Sequence, residues 1–388
     1  MKGKIAAAQR VGNIAKSLAA GDVSVCLCSV PQVTGNHIEN IRLSDGIYYL
    51  QSRENGRKGL FQMFKALTSI RKYIETRTSE KVIYLYPTTF IIWDFIYLLY
   101  FKIIHGYKLF CDINELRATK KVSFLSADGF VSKLVFPLRF IYDVIIYKLN
   151  EKQIPFYDGI VVISTNLEKY FSKSAKKIIR IPILCDTTGI EEERHAIRLG
   201  DRVFKICFAG SLDWEKEGFD ILLKSLAQVN MKHPAELYLY GDMPDWVLRK
   251  INQLTGEYSL EGKVVYLGNI DPVSLLHEFQ KYHLLILPRP LTRQSTYGFS
   301  TKLSEYLISG IPVLVTDVSD NALYIKDNYN GYIITPGSVS IMTDKILEII
   351  EGYDSNASVI AGNALQTARE KLDYRLWSKT FIDFFYNS

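Results

Sequence analysis

The chain has 388 residues, of which 48% are hydrophobic, 13% aromatic and 23% charged, with a net charge of +6. That is a globular composition, and the length favours two domains over one. No run of about 18 apolar residues occurs, which excludes an evident spanning helix; the nearest candidate, 90–104, carries Asp94 and Lys102 and reads as a core-facing helix.

From the N-terminus, Met1 to Arg10 has no central apolar run, so no signal-peptide pattern is present. The run Met1-Lys2-Gly3-Lys4-Ile5 reads as a glycine-containing turn opening into a helix. No strand precedes it, so the usual first strand of a doubly wound domain is either absent or lies upstream. Strands are expected at 23–28, 47–51, 82–86, 107–113, 159–164 and 178–184, and helices at 11–20, 58–77, 91–105, 129–151 and 166–172. Strands separated by helices predict a parallel sheet covered on both faces. Cys111-Asp112-Ile113-Asn114-Glu115 closes one of these strands and opens towards a cleft. Asp112 and Glu115 are the candidate catalytic residues, as acceptor or base groups, with helix capping as the plainer role. Gly3 and Lys4 are expected to line the same cleft.

A polar boundary at 185–202, containing Glu191-Glu192-Glu193, leads into a second series. Strands are expected at 204–209, 237–240, 264–267, 284–287, 312–316 and 331–334. Helices are expected at 218–229, 246–254, 273–281, 301–309 and 338–351. Five cysteines, Cys26, Cys28, Cys111, Cys185 and Cys207, lie in or beside strands and read as buried, reduced thiols of a cytoplasmic protein. The charge divides at the boundary. Residues 1–190 hold 27 Lys and Arg against 15 Asp and Glu, or +12; residues 191–388 hold 20 against 26, or −6. Such an asymmetry turns the basic half towards an anionic surface. Lys58, Lys65, Arg71, Lys72 and Arg77 on the helix at 58–77 fit docking on an anionic membrane leaflet. Nucleic acid is a poor alternative, since no recognised module accompanies these residues.

The most informative stretch is Ser300-Thr301-Lys302-Leu303-Ser304-Glu305-Tyr306. It reads as a loop delivering small polar residues and a lysine to a helix start, where free N–H groups and the positive dipole end attract an anion. Glu305, one turn inside, is placed to accept hydrogen bonds from sugar hydroxyls. The combination points to a nucleotide or a phosphorylated sugar.

Four segments together resemble the retaining, GT-B-fold glycosyltransferases of family 4. Phe208-Ala209-Gly210-Ser211-Leu212 with Lys216 and Gly218 is similar to the family's strand, glycine loop and Lys-Gly opening. Leu237-Tyr238-Leu239-Tyr240-Gly241-Asp242 resembles its second strand and turn, and Val264 to Gly268 with Asn269 and Ile270 resembles the strand and loop that hold the base. Gly298 to Tyr306 is similar to a Thr-Lys-x-x-Glu-Tyr version common among polysaccharide-building members. The resemblance covers 204–350 well and the first half by layout.

It implies an α/β fold of two doubly wound, Rossmann-like parallel-sheet domains facing across a cleft. These would be an acceptor domain at 1–190, a nucleotide-sugar domain at 191–372 and a final segment, 373–388, crossing back to the first domain. The implied reaction is transfer of a sugar, with retention, from a UDP- or GDP-type donor to a saccharide acceptor. That acceptor would be lipid-linked and belong to bacterial surface polysaccharide synthesis, on the cytoplasmic face of the inner membrane.

Gly210, Ser211, Lys216, Asn269, Ile270, Arg289, Ser300, Thr301, Lys302 and Glu305 would bind the nucleotide sugar. Lys216 and Lys302 would balance the charge of the departing diphosphate. No metal or other cofactor is implied. Two positions depart from the pattern. Ser211 stands where the family often has Arg, for which Arg289 or Arg293 would substitute, and Tyr297 stands where the family has its first Glu. The alternative readings are a non-catalytic or truncated nucleotide-sugar-binding relative, and a GT-B nucleotide-sugar epimerase.

Overall fold

The computed structural model describes residues 5–30, 33, 38–52, 60–86, 91–116, 145, 148–190 and 203–387. Gly3, Lys4, Lys58, most of the helix expected at 129–151 and the acidic run at 191–193 lie outside them.

The described chain opens with helix Ile5–Ala19, then β1 (Val25–Cys28), β2 (Ile38–Ser44) and β3 (Ile47–Ser52). β1 lies parallel to β3, and β2 returns antiparallel on its other side. The β2–β3 hairpin was not expected. Its signal is Asp45-Gly46, a two-residue turn between strands, with Ser44 opposite Ile47. Cys111, Cys185 and Cys207 are buried, but Cys26 and Cys28 share the exposed face of β1.

β4 (Val82–Leu85), β5 (Lys108–Ile113), β6 (Gly159–Val162) and β7 (Ile178–Arg180) form a second, wholly parallel sheet in that order. β7 stops short of its expected end because Pro182 has no N–H for the ladder. Between β4 and β5 the expected single helix divides into an α-helix, Ile91–Tyr97, and a π-helical stretch, Leu98–Ile104.

β8 (Phe204–Ala209), β9 (Ala235–Tyr240), β10 (Val264–Gly268), β11 (Leu284–Leu287), β12 (Val313–Thr316) and β13 (Tyr332–Ile334) form one parallel sheet, ordered β10-β9-β8-β11-β12-β13. The central strands β11 and β12 are buried at every residue, and in β8 only Lys205 is less than buried. Such continuous apolar runs belong to strands covered on both faces. The order doubles back between β8 and β11, and the carboxyl ends of the strands at such a switch point form the ligand crevice of doubly wound sheets.

The chain then returns. Helix Val339–Lys371 is followed by a turn at Asp373 and helix Ser378–Tyr386. Phe381 and Phe385 join Ile14, Leu18, Phe110, Val161, Ile181 and Leu184 in a core of the first half. The two crossings between the halves are stitched together. Cys185 N donates to Leu372 O at 2.9 Å, and Tyr374 N donates to Cys185 O at 3.1 Å. Asp373 accepts from Thr187 and Arg375; burial works against its charge, but these donors hold its carboxyl down at about 2.

Candidate functional site

The carboxyl ends of β8 and β11 bring three cations and one acid together. After β8, Gly210 N donates to Tyr240 O at 2.8 Å and the chain enters the short helix Trp214–Glu217, capped by Asp213, whose Oδ1 accepts from Lys216 N. Gly218 ends that helix at φ +71°, and a Cβ there would meet Pro288 O at 2.2 Å. This close approach sets Glu217 beside the residue two positions past β11, Arg289. Arg289 Nε and Nη2 donate to the two oxygens of Glu217, both at 3.0 Å, while Thr316 Oγ1 donates to Arg289 O at 2.7 Å. Lys302 Nζ donates to Glu217 Oε1 at 3.2 Å and lies 4.1 Å above the Phe208 ring.

Charge and burial pull hard against each other here. Burial favours a neutral Glu217, yet Arg289 and Lys302 overcome it and hold the carboxyl down at about 2. Burial lowers Lys302 to about 8 despite Glu217. Lys216 is lowered first by Arg289 and then by burial, with Glu217, Glu115 and Asp213 opposing. Glu115, from the first half, is therefore near enough to Lys216 to favour its charge.

Helix Thr301–Leu307 supplies Lys302 and is fastened to β8 by Tyr306, whose hydroxyl accepts from Ala209 N at 2.8 Å. The helix has seven residues, and the cations beside its start are the side chains of Lys302, Arg289 and Lys216. Ser300, just before it, is buried, and its Oγ has no hydrogen-bond partner among the described residues. Thr301 is half-buried. Glu305 Oε1 accepts from Gln9 Nε2 of the first half at 2.7 Å, and burial raises the Glu305 pKa against Gln9 and Lys302.

The remaining expected donor residues lie along the same edge of the sheet. Ser211 is exposed beside Gly210; Asn269, past β10, donates to Asp242, past β9; Ile270 packs against the core. The two candidate substitutes for the missing arginine separate clearly. Arg289 belongs to the cluster, whereas Arg293 is exposed and near Glu151 of the first half, whose pKa burial raises against the opposing charge of Arg293.

Of the two first-half carboxylates, Asp112 is fully buried. It accepts from Arg10 Nε at 2.9 and 3.1 Å and from the Tyr84 hydroxyl. Arg10 Nη1 goes on to Ile181 O and Pro182 O, so this pair ties the first helix to β5 and to the chain past β7. A substrate hydroxyl reaches Asp112 only by breaking it. Glu115 is half-buried and lines a cavity with Asp94, Glu151 and Tyr157.

Tyr297 meets the first half directly. Its carbonyl accepts from Ser164 Oγ at 2.6 Å, and its ring lies 5.5 Å from that of Tyr170. Asp320 accepts from Thr165 N at 2.9 Å and from Arg180 Nη1 at 3.3 Å, closing the cleft from the same side. Sequence reasoning passed over Glu217, Gln9 and Asp320. Only Glu217 had a local signal, an acid set between Lys216 and Gly218. Among the described residues no group of three or more His, Cys, Asp or Glu is arranged to hold a metal ion.

Residues 203–352 match the family described as Glycosyl transferases group 1. A sucrose synthase of Melioribacter roseus is 24% identical over 140 residues, 35% of this chain and 17% of that protein. An uncharacterized glycosyltransferase of Methanocaldococcus jannaschii is 23% identical over 260 residues, 64% of this chain and 62% of that one. The chain thus spans less than two thirds of either relative. Among solved structures, sucrose-phosphate synthase from Thermosynechococcus elongatus superposes with TM-score 0.67 at 16% identity, over 96% of this chain and 90% of that one. The lipopolysaccharide outer core galactosyltransferase WaaB gives 0.58 at 17%, over 88% and 84%. Anabaena HepE in complex with UDP-glucose gives 0.60 at 17%, over 84% and 83%. The fold is the two-domain GT-B architecture of these glycosyltransferases.

Proposed function

Taking residues 203–352 as a group 1 glycosyltransferase domain on a GT-B fold, we propose that the chain transfers a sugar, with retention, from a nucleotide-sugar donor to a saccharide acceptor. The observation that carries this reading is the cluster of Lys302, Arg289 and Lys216 at the switch point, beside Gly210. A departing nucleoside diphosphate gains negative charge in the transition state, and fixed cations there act mainly on that state. In this reading Gly210 and Ser211 lie against the diphosphate, and Ser300 and Thr301 donate to it. Glu305 takes the ribose hydroxyls, and Asn269 and Ile270 border the base. The side-chain cations take the role a metal has in other transferases. A UDP-type donor has the support that HepE is solved with UDP-glucose.

Glu115 is the first-half carboxylate near Lys216 of the cluster, and we assign it the acceptor side. A lipid-linked acceptor of a surface polysaccharide has two supports. One is the likeness to WaaB. The other is a face of the first domain where Phe95, Leu99, Ile103 and Ile104 are exposed, with Lys81 and Lys108 at the neighbouring strand starts. We propose that this face rests on an anionic bilayer. No helix among the described residues is long and apolar enough to cross one.

Calorimetric titration of UDP and GDP tests the donor site. The chain is expected to bind one of them, and Glu305→Ala to weaken that binding by roughly tenfold or more, the loss of about two hydrogen bonds to a charged group. Binding without transfer to any acceptor would favour the non-catalytic reading.

A further inference from the structure

Glu217 is an acid at the centre of a site built for an anion. Its side chain is 1% exposed, and both of its oxygens are engaged, by Arg289 at 3.0 Å and by Lys302 at 3.2 Å. A diphosphate approaching Arg289 and Lys302 would seem to compete with it. The donor count says otherwise. Arg289 spends Nε and Nη2 on Glu217, and among the described residues Nη1 makes no hydrogen bond. Lys302 Nζ carries three protons and directs one at Glu217. Donors remain for a second anion while Glu217 stays where it is.

The carboxylate also decides the state of Lys302. That ammonium is surrounded by Glu217 of the short helix after β8, by Arg289 past β11, by Lys216 beside Glu217, and by Glu305 one turn along its own helix. Its stem lies so close to Gly210 that a Cβ there would come within 1.6 Å of Lys302 Cε. The chain thus holds it in place, and two of its charged neighbours repel it. The contact that offsets this most directly is Glu217.

Resting on the donor-site reading above, we propose that Glu217 is a positioning residue for the donor diphosphate, holding Arg289 in place and Lys302 in place and charged while the nucleotide takes the donors it leaves open. Burial draws Lys302 down to about 8, with Glu217 the largest opposing influence. Glu217→Gln removes that charge at constant volume, leaving burial, Arg289 and Lys216 to drive the proton off at lower pH.

The test is UDP affinity by calorimetry from pH 7 upwards, where a phosphate of pKa about 6 is already ionised. Wild type is expected to lose affinity as pH rises through about 8. In Glu217→Gln the fall should move at least one unit lower, leaving binding at pH 7 weaker by roughly twofold or more. Lys302→Arg, whose guanidinium does not titrate in this range, should bind without the fall, and this variant carries the test if Glu217→Gln does not fold. Unchanged or tighter binding by Glu217→Gln, with the same midpoint, would overturn the proposal, as would a fall that persists in Lys302→Arg. Wild type that binds no UDP at any pH would overturn the donor-site reading itself, and this inference with it.

Discussion

Two acids, each buried against cations, carry opposite consequences at the scale of single residues. Asp112 is buried against Arg10 and Tyr84, in the wall of the cavity that Glu115 also lines. Asp112→Asn strands the Arg10 guanidinium without a counter-charge, which costs about 3–5 kcal/mol for a buried pair. Urea unfolding should show that loss directly; a variant that lost transfer at full stability would instead return Asp112 to the acceptor. The charge on Lys302 gives a second outcome. Its pKa falls from 10.5 to about 8 on folding, so between these values the unfolded chain binds more protons than the folded one. Stability of the nucleotide-free chain therefore rises with pH between about 8 and 9.5, while UDP binding weakens over the same range. Thermal unfolding across that range, without and with UDP, checks the sign. That Gly210, Lys216, Lys302 and Glu305 gather at one edge of the sheet was legible because they sit in short runs beside the strand ends. Glu217 was not, since its meaning comes from Arg289 and Lys302, 72 and 85 positions away.

Among the elements, those buried on both faces were the easiest to read. β8, β11 and β12 are short apolar runs between turns, and pattern alone finds them. β2 escaped because two of its large apolar residues, Ile41 and Leu43, point to solvent, leaving the Asp45-Gly46 turn as its clearest signal. Helix Val339–Lys371 was cut short at the glycine in its middle, Gly352. The buried residues Ile346, Ile349, Tyr353, Ala357, Ile360 and Ala364 run past it at helical spacing, and tertiary burial overrides the propensity of one glycine. The final helix is short but its role is large. Phe385 lies 4.8 Å from the Phe110 ring and 5.5 Å from Tyr84, and is 2% exposed. Phe385→Ala should cost about 3–5 kcal/mol, as for other buried aromatics. Proteolysis or hydrogen exchange should find the loss in the first domain, around β5 and the first helix, instead of locally.

Taken as a whole, the molecule has the cluster of Lys216, Arg289 and Lys302 at one wall of a cleft and its net positive charge in the other domain. The exposed Phe95, Leu99, Ile103 and Ile104 lie on that basic domain, between β4 and β5. Co-sedimentation with anionic vesicles is expected, weakening as salt rises past physiological strength. Binding that is equal on neutral vesicles would remove charge from the account, and replacing Phe95 and Ile103 by serine should release the part that salt does not.

The return of the C-terminal helix also sets an order in time. Ile14, Leu18 and Phe110 are made before the second domain, but Phe381 and Phe385, which cover them, are made after it. Domains usually complete themselves in the order of translation. Here the first domain must wait, partly uncovered, until the second has been made, and a gene split between the domains would leave it without part of its own core.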